Sequence, residues 1–211
     1  MKPSEPQPDD AARPDEPLAE KSPRERARAE AKPMAPLQAM AMGLILIALD
    51  SQSRYDLFPD PLGWLLVLWG VMKLPLPERP TLLTATGLAL ATACVLFVPA
   101  AEEAIGEAGL SMIWAVQLPD LAFVVLLCRA LIAAARRQKP VDRTVAGRFG
   151  VALTAAVVVI ALVPIGSAAE NDGLITAADG GFVLLWLWLV WNLFAVSGRS
   201  WLASRPRPES S

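Results

Sequence analysis

The chain has 211 residues, a formal net charge of -2, 54% hydrophobic residues and a mean hydropathy of +0.42. Residues 1–33 hold almost no large hydrophobic side chains, whereas residues 36–203 are one apolar run after another, a distribution that a bilayer requires and a soluble core does not. There is no His, and neither Cys94 nor Cys128 has a CxxC neighbour, so imidazole chemistry, zinc motifs and dithiol redox motifs are excluded.

The first segment, residues 1–33, carries seven Pro, seven Lys/Arg and eight Asp/Glu. Dense charge with little apolar surface cannot offset the entropy of ordering, so a disordered tail is expected, with no h-region of a secretory signal. Ser22-Pro23-Arg24-Glu25 reads as a capping box with Pro at the first helical position, opening a short helix to about Lys32. Arg24, Arg26, Arg28 and Lys32 act there as an orientation signal or as a clamp on anionic lipid.

Six apolar segments follow, at 37–49, 61–76, 82–100, 119–135, 149–165 and 181–197. The first two are short for the roughly 20 residues that a span needs, and tilt or local thinning absorbs the mismatch. The connector at 102–113 reads as a partly amphipathic surface helix. On a six-span path, 18 of the 19 basic residues fall on one side and only Arg54 on the other. The positive-inside rule then places both termini in the cytoplasm, and a bacterial-type plasma membrane is the expected location.

The opposite loops are acidic, with Asp50, Asp56 and Asp60, then Glu102, Glu103 and Glu107, then Glu170, Asp172 and Asp179. They form a cation-attracting vestibule, or are simply tolerated where Lys and Arg are excluded. Three spans entering from that side begin alike: Asp60 with Trp64, Asp120 with Phe123, and Asp179 with Phe182. The spacing suggests three helical-hairpin repeats, or three helix starts sharing Asp for capping and dipole reasons. The candidate acidic cluster is therefore Asp50, Arg54, Asp56, Asp60, Asp120 and Asp179, with Arg54 an ion-pairing partner for Asp50 or Asp56.

The stretch from Leu44 to Leu74, with its YDLFPDPLGW and later Gly-Val-Met-Lys-Leu, resembles the first hairpin of uncharacterised bacterial multi-spanning membrane proteins. The resemblance covers this hairpin and implies no activity.

Within the spans, Gly63 and Gly70 lie seven apart on one helix face, and Gly87 with Ala91 makes a small-xxx-small pair, so these glycines are expected at close helix contacts. Asn192 is expected to hydrogen-bond a neighbouring helix. Arg129 is the one charge well inside a span, a functional candidate unless it snorkels. Trp186, Trp188 and Trp191 read as bulky lipid-facing residues, and the two Cys as small buried thiols.

The expected fold is all-α: a six-span transmembrane bundle at 34–203 between a cytoplasmic tail at 1–33 and another at 204–211. No catalytic residue, cofactor or metal site is expected, and no nucleic-acid partner. The bilayer, and a membrane-protein partner of unknown identity, are the expected contacts. The leading functional expectation is a non-enzymatic scaffold or partner-binding protein. The alternative is a small transporter or channel with an acidic outer vestibule, and an intramembrane enzyme would have to draw all its acid–base groups from the outer carboxylates.

Overall fold

A computed structural model describes residues 35–50 and 60–202 of the chain. These residues form seven α-helices and no strand: α1 Pro36–Asp50, α2 Asp60–Lys73, α3 Arg79–Leu96, α4 Pro99–Glu107, α5 Leu110–Arg137, α6 Arg143–Ala168 and α7 Asp172–Val196. A 3-10 turn at Ser200–Leu202 follows and buries Leu202 against the bundle. The tail with its capping box, the loop residues Arg54, Tyr55 and Asp56, and the stretch 203–211 lie outside the described residues.

Local chemistry sets the helix boundaries. Pro80 and Pro99 sit in the first turns of α3 and α4, where a missing N–H costs nothing. Gly109, at φ 91, separates α4 from α5, a backbone angle that favours glycine. Asp142 caps α6 by accepting from Val145 N at 3.1 Å, and Asn171 caps α7 by accepting from Leu174 N at 3.2 Å.

Three helices start six or more residues earlier than the sequence suggests, α6 among them, at Arg143 rather than at residue 149. The fourth span was expected to open at Pro119, but α5 runs straight through this residue from Leu110. The sixth was expected from 181, but α7 begins at Asp172. Residues 110–118 are apolar and helix-compatible, so one missing N–H at Pro119 does not end the helix.

Among the described residues, four helices are long and apolar enough to cross a membrane: Arg79–Leu96, Leu110–Arg137, Arg143–Ala168 and Asp172–Val196. Their composition supports membrane association. Pro36–Leu49 is equally apolar in character but shorter, and α2 has 14 residues, about 21 Å of helix.

The six longer helices close a ring. Each of α1, α2, α3, α5, α6 and α7 packs against the helix before and after it, and α7 returns to α1, while α4 bridges α3 and α5 at one end. Large side chains fill the interior: Trp64, Phe123, Phe149, Leu127, Leu131, Leu189 and Leu193 are all fully buried. Trp64 of α2 meets Phe123 of α5 edge-to-face, with centroids 5.3 Å apart and planes at 87°, although these helices are not neighbours in the ring. Trp186 of α7 donates its indole N–H to Leu44 O of α1 at 2.9 Å, tying the ring closed.

The two ends of the bundle differ in charge. Arg137 grips Glu78 at 2.8 and 2.9 Å, and Arg199 pairs with Asp142 at 3.5 Å, so the α2–α3 and α5–α6 connectors and the end of α7 share one end. Every described Lys and Arg lies at or toward this basic end, while Glu102, Glu103, Glu107, Glu170 and Asp172 mark the other.

Candidate functional site

The acidic end holds the residues that the sequence singled out. Asp60 is the first residue of α2 and is half-buried. Asp120 is the eleventh residue of α5, also half-buried. One turn further along each helix, Trp64 packs on Phe123. Two copies of the Asp-plus-aromatic pattern thus meet through their aromatic rings.

The third copy does not join them. Asp179 is exposed on α7, and Phe182 packs on Trp186 of its own helix, with centroids 5.4 Å apart. The shared helix-start explanation also holds for Asp60 alone. Gly109 and Asn171 occupy the N-caps of α5 and α7, so Asp120 and Asp179 stand inside helices that begin well before them. Asp50 is the last residue of α1, while Arg54 and Asp56 lie outside the described residues.

The glycines divide in two. A Cβ at Gly43 would stand 2.5 Å from Gly63 O, one at Gly63 would stand 2.8 Å from Gly43 O, and one at Gly70 would stand 2.7 Å from Pro36 O. At these positions α1 and α2 touch backbone to backbone. Gly87 is placed otherwise: a Cβ there meets nothing within 4 Å. The inward stripe of α3 is Leu82, Ala85, Thr86, Ala89 and Ala93, and Gly87 sits well round the helix from it. Gly43, which spacing arguments did not raise, is the partner that Gly63 required.

Asn192 is buried, but its Nδ2 donates to Trp188 O at 2.7 Å on its own helix rather than to a neighbour. Its Oδ1 has no hydrogen-bond partner among the described residues. Thr86, the other buried polar side chain, likewise bonds within its helix, donating to Leu82 O at 2.7 Å. Trp188 and Trp191 are exposed, at 44% and 68%, whereas Trp186 is 4% exposed. A tryptophan expected to face lipid is therefore a ring-closing donor, because its N–H reaches a carbonyl of α1. Cys128 is buried and Cys94 exposed, and both are free thiols.

No family model matches the chain, and no curated protein or solved structure is significantly similar to it.

A shallow cleft of about 380 Å³ opens between the first turns of α5 and the end of α6, lined by Leu110, Ser111, Trp114, Val163, Pro164 and Ser167. The spacing of residues along the chain gives no sign of it, because the cleft depends on the early start of α5. No group of three or more His, Cys, Asp or Glu is placed to hold a metal among the described residues. Chemically, Asp60 and Asp120 place two half-buried carboxylates toward the acidic end, and the basic end can face anions.

Proposed function

We propose that the chain is a six-span membrane protein, with both termini in the cytoplasm, that works as a non-enzymatic scaffold binding a membrane partner. The filled ring interior carries this reading: Trp64, Phe123 and Phe149 occupy the space between helices where a transport path would run. An exposed ridge on α7 offers the complementary surface, with Leu184 at 69%, Leu187 at 58% and Trp191 at 68%. The basic end faces the cytoplasm by the positive-inside rule, and the short α1 and α2 cross by tilting or by thinning the bilayer around them.

The orientation is tested with single Cys substitutions in a Cys94→Ser, Cys128→Ser background. Positions Glu103 and Asp172 are labelled in intact cells by an impermeant maleimide, and Lys139 is labelled only after permeabilisation. Labelling at Lys139 in intact cells would contradict the six-span path. The scaffold role is tested by photocrosslinking from Leu187 and Trp191, with Val157 and Val158 of α6 as lipid-facing controls. A discrete adduct confined to the α7 positions supports the reading. Cation flux through proteoliposomes of the purified chain counts against it.

One observation favours a second reading. The half-buried Asp60 and Asp120, each one turn from the packed Trp64 and Phe123, support a small cation or proton transporter whose outer mouth is built by α2 and α5. In that case added monovalent cation raises the unfolding temperature of the wild type, and the Asp60→Asn, Asp120→Asn variant loses the response. Substitution of the exposed Asp179 leaves it intact.

A further inference from the structure

Ala122, Arg129 and Arg136 repeat every seven residues along α5, which keeps them within about 20° of one line per step. All three are exposed. The opposite side of this stretch faces inward, with Phe123, Val124, Leu127, Cys128 and Leu131 fully buried. The exposed strip of a membrane-crossing helix faces lipid, so two guanidinium groups stand on the lipid-facing side.

Their depth is the second fact. Arg137, fixed on Glu78, marks the basic end, and Arg129 lies eight residues, about 12 Å, further into the span. Side chains on a helix tilt toward its N-terminus, which for α5 is the acidic end. Arg129 therefore reaches toward the basic end against its own Cβ direction, so snorkelling alone solvates it poorly.

Counter-charge is the third. Glu78 is engaged by Arg137 and Asp142 by Arg199, and no ion pair to Arg129 or Arg136 forms among the described residues. Between the two arginines on this strip stands Ala133, which leaves a gap one turn high. The anion able to reach a lipid-facing guanidinium is a phospholipid phosphate, which a planar fork of N–H donors binds in bidentate fashion.

We infer that Arg129 and Arg136 form a binding site for one anionic phospholipid of the cytoplasmic leaflet, its phosphate drawn in over Ala133. An anionic headgroup without an ammonium, such as phosphatidylglycerol, is favoured over a zwitterionic one because it brings no cation to compete with the guanidinium groups. The inference rests on the six-span reading with the basic end in the cytoplasm.

The test uses the full-length protein in nanodiscs of phosphatidylcholine with a minor fraction of phosphatidylglycerol, with lipid retention read by native mass spectrometry. The wild type retains phosphatidylglycerol through activation that strips phosphatidylcholine. Arg129→Gln with Arg136→Gln reduces that retention several-fold, Arg129→Lys reduces it partly, and Lys139→Gln, at the same end on a connector, leaves it unchanged. Equal retention in the wild type and the double variant would overturn the site, as would an equal loss in Lys139→Gln. If the double variant does not fold, the single Arg129→Gln and Arg129→Lys variants decide the same question. A wild-type protein that fails to enter the nanodisc at all refutes the membrane reading, an outcome distinct from insertion without selective retention.

Discussion

The first hairpin, α1 with α2, and the last, α6 with α7, are both antiparallel but are held together differently. In the first, residue numbers rise on one helix as they fall on the other, Gly43 facing Gly63 and Pro36 facing Gly70. The last shows the same pattern, with Gly166 against Leu174 and Ile175, and Gly181 against Val159. In the first hairpin, however, an added Cβ would strike backbone oxygens at 2.5–2.8 Å, whereas in the last its nearest neighbours are side-chain carbons at 3.0–3.1 Å, and the one main-chain atom, Ile175 N, stands off at 3.3 Å from the Gly166 position. The lengths differ too, with 15 and 14 residues against 26 and 25. Short helices have few side-chain contacts to share, and backbone approach at glycines supplies dispersion that a longer pair spreads over many residues. Glycine at a helix contact is thus decisive when the neighbour is main chain, and negotiable when it is a side chain that can rotate.

The largest effect tests that contrast directly. Gly63→Leu is expected to cost about 3 kcal/mol, the upper part of the overpacking range, because a carbonyl oxygen has no rotamer to escape into. Gly181→Leu in the last hairpin, where the neighbour is the Val159 side chain, should cost well under half of that. The check is the thermal unfolding midpoint of both variants in detergent, followed by helical circular dichroism. Equal destabilisation would erase the distinction between the hairpins.

Next in size is the bond that joins the two hairpins. Trp186→Phe keeps the ring body but removes the N–H that reaches Leu44 O. A loss of about 1 kcal/mol is expected, the usual range for an interhelical hydrogen bond in lipid. Measured in the Gly63→Leu background, the same change should cost less, since a displaced α1 has already broken the bond.

Asn192 should respond in the opposite direction. Its Oδ1 is buried without a partner and its amide bonds only within α7, so Asn192→Leu is expected to be neutral or to stabilise by up to about 1 kcal/mol. Clear destabilisation would show that the amide joins α7 to something beyond the described residues. The smallest effect belongs to Gly180, exposed on α7 with nothing within 4 Å of an added Cβ. Gly180→Ala should raise stability by about 0.5 kcal/mol through backbone entropy alone, visible as a small upward shift of the same midpoint.

Several features could be read from residue types alone. Apolar run length and the distribution of Lys and Arg are one-dimensional quantities, so helical class, membrane character and the clustering of basic groups at one end follow directly from the chain. Gly63 and Gly70 were legible for a similar reason, because seven residues return to the same helix face. Other features needed a second segment. The partner of Gly63 is Gly43, a pairing fixed by the register of α1 against α2. Gly87 looks like its fellow glycines in spacing, yet the inward face of α3 is defined by which neighbours surround it. The three aspartates look equivalent in sequence, but α5 and α7 begin before Asp120 and Asp179, and only the contact of Trp64 with Phe123 across the interior links the Asp60 and Asp120 segments while leaving Asp179 outside. Trp186 differs from Trp188 and Trp191 solely in direction, and direction around a buried helix depends on what packs against it. Local periodicity fixes which residues share a face of a helix, and only the tertiary contacts decide what that face meets.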